Sequence, residues 1–248
     1  MTLSPQLNPM LKSLRLSGIL ETLEVRTQQA IEEKLSYMDF LHQLLTDEIE
    51  RRTHKQLTLK LKRAQFDPNK TLESFDFSAN PSLNRQQILD LATCHFIEKK
   101  ENILIVGPTG VGKSHLCQAL GHQACRRGYD VVFLSASKLF SSLQAGRADG
   151  SSERKLQSLL RCDLLILDDL GLKPLRPPAP EDLYEIIHER YEKGSLIITS
   201  NRAFSEWPEI FLEPLLASAA LDRLTHHCHQ IVITGESYRG RERKGLIS

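Results

Sequence analysis

From Leu7 to about Arg63 the apolar positions recur at helical intervals, and no alternating run interrupts them. Leu11, Leu14 and Gly18, with Leu7, lie near one face. Farther on, Phe40, Leu41, Leu44, Leu45 and Glu48 keep the spacing. Ser36, with Asp39 three residues on, resembles a capping box opening a second helix. Two or three helices are expected. Between Gln65 and Leu83 the pattern breaks, with Pro68, Pro81 and several Asn, Asp and Ser residues that favour turns. Inside this stretch Phe75 and Phe77 stand two apart, which predicts a tether laid across the next domain. Asn84 to Lys100 then predicts a helix with Ile88, Leu91, Ala92, His95 and Phe96 on one face.

Beyond residue 100 short apolar runs alternate with helical stretches. The runs are Asn102–Val106, Asp130–Ser135, Leu164–Asp169, Ser195–Asn201 and Gln230–Thr234. Continuous rather than alternating apolar character marks strands buried on both faces. Helices are expected from Ser114, over Lys138–Leu143, Glu153–Leu160, Glu181–Lys193 and Leu215–His227, with Gly128 stopping the first. Ala145–Ser152 reads as a polar loop, and Gly171–Pro178 as a basic, proline-rich one. Strand and helix in regular alternation predict a mainly parallel sheet covered on both faces.

One turn in this pattern carries chemistry. Gly107-Pro108-Thr109-Gly110-Val111-Gly112-Lys113-Ser114 reads G-x-x-x-x-G-K-S between a strand and a helix, followed by His115. The glycines let backbone N–H groups turn inward around phosphates, and the helix N-terminus faces them. Lys113 would reach the β- and γ-phosphates, and the Ser114 hydroxyl would hold Mg²⁺. Asp168 and Asp169 end the third apolar run, where parallel sheets place ligands. Asp168 is the candidate second Mg²⁺ ligand and Asp169 the candidate base facing the attacking water. Asn201, at the tip of the fourth run, suits positioning that water; alone, before Arg202, it reads first as a turn residue. Arg223 is a candidate for neutralising charge on the γ-phosphate, a group that can be supplied in trans, or else a partner of Asp222.

Composition narrows the partners. The 248 residues carry a net charge of +1, so any pull on nucleic acid is local. Arg51 to Arg63 holds six Lys or Arg and no acid. It reads as a solvated helix face with Leu57 and Leu61 inward, or as a phosphate-contacting stripe. Five scattered cysteines without C-x-x-C spacing suit reduced thiols in a cytosol. No apolar run approaches the roughly 20 residues of a membrane span, and no signal peptide is visible. His226-His227-Cys228-His229 is a poor metal set, because neighbours on a helix point about 100° apart. Trp207, before Pro208, reads as a packing anchor.

Over nearly its whole length the chain resembles the IstB-like ATP-binding proteins, helper ATPases encoded beside the transposase in one class of bacterial insertion sequences. These are similar to DnaC and DnaA within the AAA+ superfamily. The resemblance lies in Lys70–Phe77, Asn102–His115, Asp163–Leu175 and Arg190–Glu192. It continues in Thr199–Arg202 with Trp207, Leu221–Leu224 with His226 and His227, and Gly235–Arg239. It implies an α/β fold of AAA+ (P-loop NTPase) type: a parallel sheet of about five strands flanked by helices, after a small all-helical N-terminal domain. The boundaries would be 1–64 for helices serving oligomerisation and DNA contact, 65–83 for a linker and 84–248 for the ATPase. Asp168 and Asp169 match the Walker B pair, Asn201 the sensor 1 position and Arg223 the arginine finger. Arg239 matches the sensor 2 position, in a family whose lid region is reduced. The family often has Pro at Thr109 and Thr at Val111 and Ser114; Ser114 keeps the hydroxyl.

The resemblance further implies ATP and Mg²⁺ as cofactors and self-assembly through ATP interfaces on double-stranded DNA of little sequence preference. It implies recruitment and stimulation of a cognate transposase, with hydrolysis dismantling the assembly, in the bacterial cytoplasm at the nucleoid and with no membrane role. Expected DNA contacts are the Arg51–Arg63 face, the loop around Arg147 to Lys155, and Lys173 with Arg176. The rival readings are a DnaC-like helicase loader gripping single-stranded DNA, a small-molecule P-loop kinase, and a DNA scaffold that binds nucleotide without hydrolysing it.

Overall fold

A computed structural model describes residues 6–172, 174–211, 213–235 and 237–238. Arg239 and Lys173, named above, lie outside these. The described chain divides into two compact units, at Leu59 and Lys60.

The first unit is helical. α1 (Leu7–Ser13) and α2 (Ser17–Glu32) precede the long α3 (Tyr37–Ala64), which runs past the division. Ser36 accepts the Asp39 N–H at 3.2 Å, so the predicted cap exists, but it opens the third helix rather than the second. Ile19, Leu23 and Leu44 form a small core with Leu11, Leu16 and Phe40 against it. Leu41 and Leu45, expected on the same face, are exposed, as are Leu7 and Leu14. Gly18 sits where α2 meets α3; a Cβ there would lie 2.7 Å from Glu48 Cα. The Gly18 N–H donates to Glu48 Oε2 at 2.6 Å, so a buried carboxylate satisfies the start of α2.

The second unit is the α/β layer structure the alternation predicts. The strands β1 (Asn102–Val106), β2 (Val131–Ser135), β3 (Leu164–Leu170), β4 (Ser195–Ser200) and β5 (Cys228–Val232) are all parallel, in the order β2-β3-β4-β1-β5. Alternate residues serve opposite faces. Leu165, Leu167, Leu196 and Ile198 join the core beneath α7 (Ala136–Asp149), α8 (Ser152–Leu160), α9 (Ala179–Arg190) and α10 (Pro214–Thr225). Ile166 points the other way, toward α6 (Lys113–Arg126), where Gly121 makes room for it and for Phe66.

Three expectations change. The helix over 84–100 is two, α4 (Arg85–Leu91) and α5 (His95–Glu98), separated at Cys94, whose φ is 65°. His95 is consequently exposed. The polar loop over 145–152 is mostly helix: α7 continues to Asp149 and Gly150 ends it in the left-handed region. Its alanines are strong helix formers, and buried Gly146 lets α8 approach, with Ser152 Cα 2.9 Å from a notional Cβ. The His226–His229 run leaves the helix after Thr225, and Cys228 and His229 belong to β5. No group of three or more His, Cys, Asp or Glu side chains placed to hold a metal gathers among the described residues.

Buried Arg190 closes the far end of the sheet. Its guanidinium donates to the carbonyls of Leu159, Cys162, Asp163 and Ser195, binding the end of α8 to the starts of β3 and β4. Trp207, fully buried in a 3₁₀ turn over Phe204–Ile210, is the packing anchor expected. No described helix is long and apolar enough to cross a membrane.

Candidate nucleotide-binding site

β1 ends at Val106 and the chain turns through Gly107, Gly110 and Gly112, with φ of 155°, 86° and 97°. These values place the turn's backbone where side chains rarely go, and Gly112 is the residue from which α6 starts. Lys113, buried, donates from Nζ to the Gly107 and Pro108 carbonyls, each at 2.8 Å, and to Asn201 Oδ1. An ammonium folded over a glycine turn with three oxygen acceptors around it matches the donor set a triphosphate needs, with those oxygens in the place of phosphate oxygens.

The carboxylates come from β3. Ser114 Oγ donates to Asp168 Oδ1 at 3.0 Å. Thr199 Oγ1 donates to the same oxygen at 2.5 Å and accepts the Asp169 N–H at 2.9 Å. A hydroxyl and a carboxylate meeting beside the glycine turn are hard oxygen donors of the kind Mg²⁺ takes. Cys117, whose Sγ is 3.9 Å from Asp168 Oδ1, is buried, which pushes its thiol well above the usual range and keeps it neutral.

Asp169 and Asn201 line a cavity of about 460 Å³ with Thr109 to His115. Its other wall is the stretch after α3. Phe75 packs edge-on to His115 at 5.2 Å between ring centres, and its ring lies 3.2 Å from where a Gly112 Cβ would be. His115 Nε2 meets the Thr71 carbonyl at 2.9 Å, and Asn80 donates to the Val111 carbonyl at 3.0 Å. The tether is therefore laid across the glycine turn itself. His115 faces this strap from the start of α6. Tyr238 donates its N–H to the Gly110 carbonyl at 3.0 Å, closing the turn from the C-terminal side.

Thus Gly110 to Ser114, Asp168, Asp169 and Asn201 are brought together. Arg223 is not: it lies on α10, donates to the Ala219 carbonyl at 2.7 Å, and stands over the Tyr184 ring at 5.8 Å. Among the described residues it makes no ion pair, with Asp222 or any other acid. Thr199 and Asn80 are the residues that sequence reasoning did not single out. Thr199 lies in the Thr199–Arg202 run, but a Thr in a buried strand reads as packing.

Comparison with known proteins gives one answer. Residues 9–245 match the family described as IstB-like ATP binding protein. An insertion-sequence ATP-binding protein of Mycobacterium tuberculosis is 42% identical over 242 residues, covering 97% of this chain and 96% of that one. The insertion sequence IS21 ATP-binding protein of Pseudomonas aeruginosa is 37% identical, covering 96% and 90%. Among solved structures, the replication initiator DnaA bound to AMPPCP and single-stranded DNA superposes with a TM-score of 0.56 at 24% identity, over 73% of this chain and 55% of that one. That likeness is one of fold.

Proposed function

The chain belongs to the IstB-like ATP-binding proteins, and from that premise we propose that it is an ATP-hydrolysing switch that assembles on duplex DNA and serves a transposase. The observation that carries the ATPase reading is the convergence of Lys113, Ser114, Asp168, Asp169 and Asn201 from three elements onto one cavity edge. Lys113 would exchange its carbonyl and Asn201 acceptors for β- and γ-phosphate oxygens. Ser114 and Asp168 would hold Mg²⁺, which when bound neutralises phosphate charge. Asp169 would take the proton of the attacking water, and Asn201, freed from Lys113, would orient that water. Arg223, turned away from the cavity of its own chain, would serve the γ-phosphate of a neighbouring copy.

The relatives are named as ATP-binding proteins of insertion sequences, which favours DNA and a transposase as partners over a small acceptor molecule. Phosphate release by the purified chain, with and without duplex DNA, tests the reading. DNA-stimulated release that disappears in Lys113→Ala is expected. Release driven only by a small acceptor, and indifferent to DNA, would point to a kinase instead.

A further inference from the structure

Eight non-glycine residues have a left-handed backbone among those described. Seven stand in the turn after a helix, where this conformation is a common cap. The eighth, Asp169, with φ 60°, is inside β3. There the strand slips against β4: Leu167 pairs with Ile198 and Leu170 with Ser200, so two residues, Asp168 and Asp169, stand opposite Thr199 alone. Two residues facing one is a bulge, which bends a strand and re-aims its side chains. A strained residue of this kind persists only when its surroundings hold it.

Among the groups that hold it is one hydroxyl. The Asp169 N–H can only donate, so Thr199 Oγ1 accepts it at 2.9 Å. The single hydroxyl proton is then committed to Asp168 Oδ1 at 2.5 Å. Ser114 donates to the same carboxylate oxygen from α6. Neighbouring bonds clamp the end of β3: Ser200 Oγ donates to the Leu170 carbonyl at 2.7 Å, and Arg202 Nε to the Gly171 carbonyl at 2.9 Å.

We propose that Thr199 is a positioning residue for ATP hydrolysis, its hydroxyl fixing the Asp168 carboxylate and the Asp169 bulge in one geometry. This rests on the ATPase reading above. Removing the hydroxyl takes away one of the two hydroxyl donors to Asp168 Oδ1 and the Thr199 acceptor of the Asp169 N–H, so the metal-dependent part of nucleotide handling is weakened while the glycine turn stays intact.

Thr199→Val keeps the side-chain outline and deletes both bonds; Thr199→Ser keeps the hydroxyl. Three quantities are compared with the parent: phosphate release at saturating ATP, affinity for a fluorescent ATP analogue in Mg²⁺ and in EDTA, and the unfolding temperature. For Thr199→Val, turnover is expected to fall roughly tenfold to a hundredfold, the usual worth of a hydrogen bond to a charged group. The gain in analogue affinity from Mg²⁺ should shrink, the affinity in EDTA should stay within about twofold, and Thr199→Ser should recover most of both losses. Parent-like turnover and Mg²⁺ response in Thr199→Val would overturn the proposal. So would an equal loss in EDTA, or a serine variant as impaired as the valine one. Should the valine variant not fold, Thr199→Ala is read by the same criteria. A parent chain that releases no phosphate would defeat the ATPase reading alone, because the Mg²⁺-dependent share of analogue affinity still decides the place of Thr199.

Discussion

Glu48 shows how a single side chain joins two helices. Burial alone would raise its carboxyl, but the Gly18 N–H, Arg52 and the Ile19 N–H outweigh it and hold the group below its ordinary 4.5. Next to it Asp47 is held below 3.8, chiefly by its hydrogen bonds from Arg26, against burial. A carboxyl lowered by folding stabilises the protein above its unfolded value, and that contribution is lost as pH falls through the lowered native value. The helical unit should therefore be stable at neutral pH and weaken below about pH 4. Glu48→Gln should lower the unfolding temperature at pH 7, with the gap narrowing as pH falls below the ordinary glutamate range and through the lowered native value. A gap of constant size across that range, followed by circular dichroism, would contradict the role of the charge. Gly18→Ala probes the same joint sterically. Its Cβ would press on helix backbone rather than a flexible tip, so a loss of about 1–3 kcal/mol is expected in denaturant unfolding.

At the scale of elements, the stretch between α3 and α4 behaves as a strap on the phosphate turn. Phe66 enters beside Gly121, Phe75 covers Gly112, and Asn80 ties to Val111. Phe75→Ala should cost about 3 kcal/mol and speed hydrogen exchange over residues 66–80. Because the ring forms a wall of the candidate cavity, the variant should also bind an ATP analogue more weakly; unchanged affinity with a loosened strap would separate the two functions. The strap was legible as a tether from its paired aromatics, and β1 and its turn were legible almost to the residue, because a strand buried on both faces leaves no polar position to confuse the period. The breaks between helices were not. Cys94 interrupts the helix after α4 without glycine or proline, and α7 runs on through Ala145 to Asp149, where Gly146 and the Gly150-Ser151-Ser152 that follows suggest a loop. In both places the neighbours decide: buried Phe96 and Ile97 pull α5 inward, and Gly146 seats α8. The bulge at Asp169 was invisible for the same reason, since its acceptor lies 30 residues away on β4.

At the scale of the molecule, the basic stripe on α3 separates into two kinds of residue. Arg51 chelates Glu21, Arg52 pairs with Glu48, and Lys60 pairs with Asp130, so these are committed to the fold. Lys55, Lys62 and Arg63 are exposed and carry no such pair among the described residues. Arg147, expected on a DNA-facing loop, instead sits on α7 and grips buried Asp182 with both terminal nitrogens. Reversing Lys55, Lys62 and Arg63 together should weaken duplex binding and flatten its salt dependence, by a slope of up to about three, without changing the unfolding temperature. Reversing Arg51, Arg52 and Lys60 should lower the unfolding temperature first. Fluorescence anisotropy across a salt series distinguishes the two, and a triple reversal that leaves the slope unaltered would remove this face from the DNA contact.

Arg223 carries the remaining test, because its position has a consequence for how many chains a working site needs. Its guanidinium is directed to the Ala219 carbonyl and the Tyr184 ring, and it is not among the residues lining the cavity of its own chain. If it serves a neighbour, the site is divided: one chain brings Lys113, Ser114, Asp168 and Asp169, and the next brings Arg223. Two variants should then rescue each other. Arg223→Ala keeps an intact Asp169 but offers its neighbour no arginine; Asp169→Asn offers the arginine but cannot activate water. Each alone should lose at least tenfold in phosphate release. Mixed at equal concentration, the interfaces in which an Asp169→Asn chain presents Arg223 to an Arg223→Ala chain are whole, so turnover should exceed the sum of the two variants measured apart. The gain should grow with protein concentration and with added duplex DNA, since both favour assembly. An arginine acting within its own chain predicts strict additivity at every ratio, because each chain would then carry its own defect.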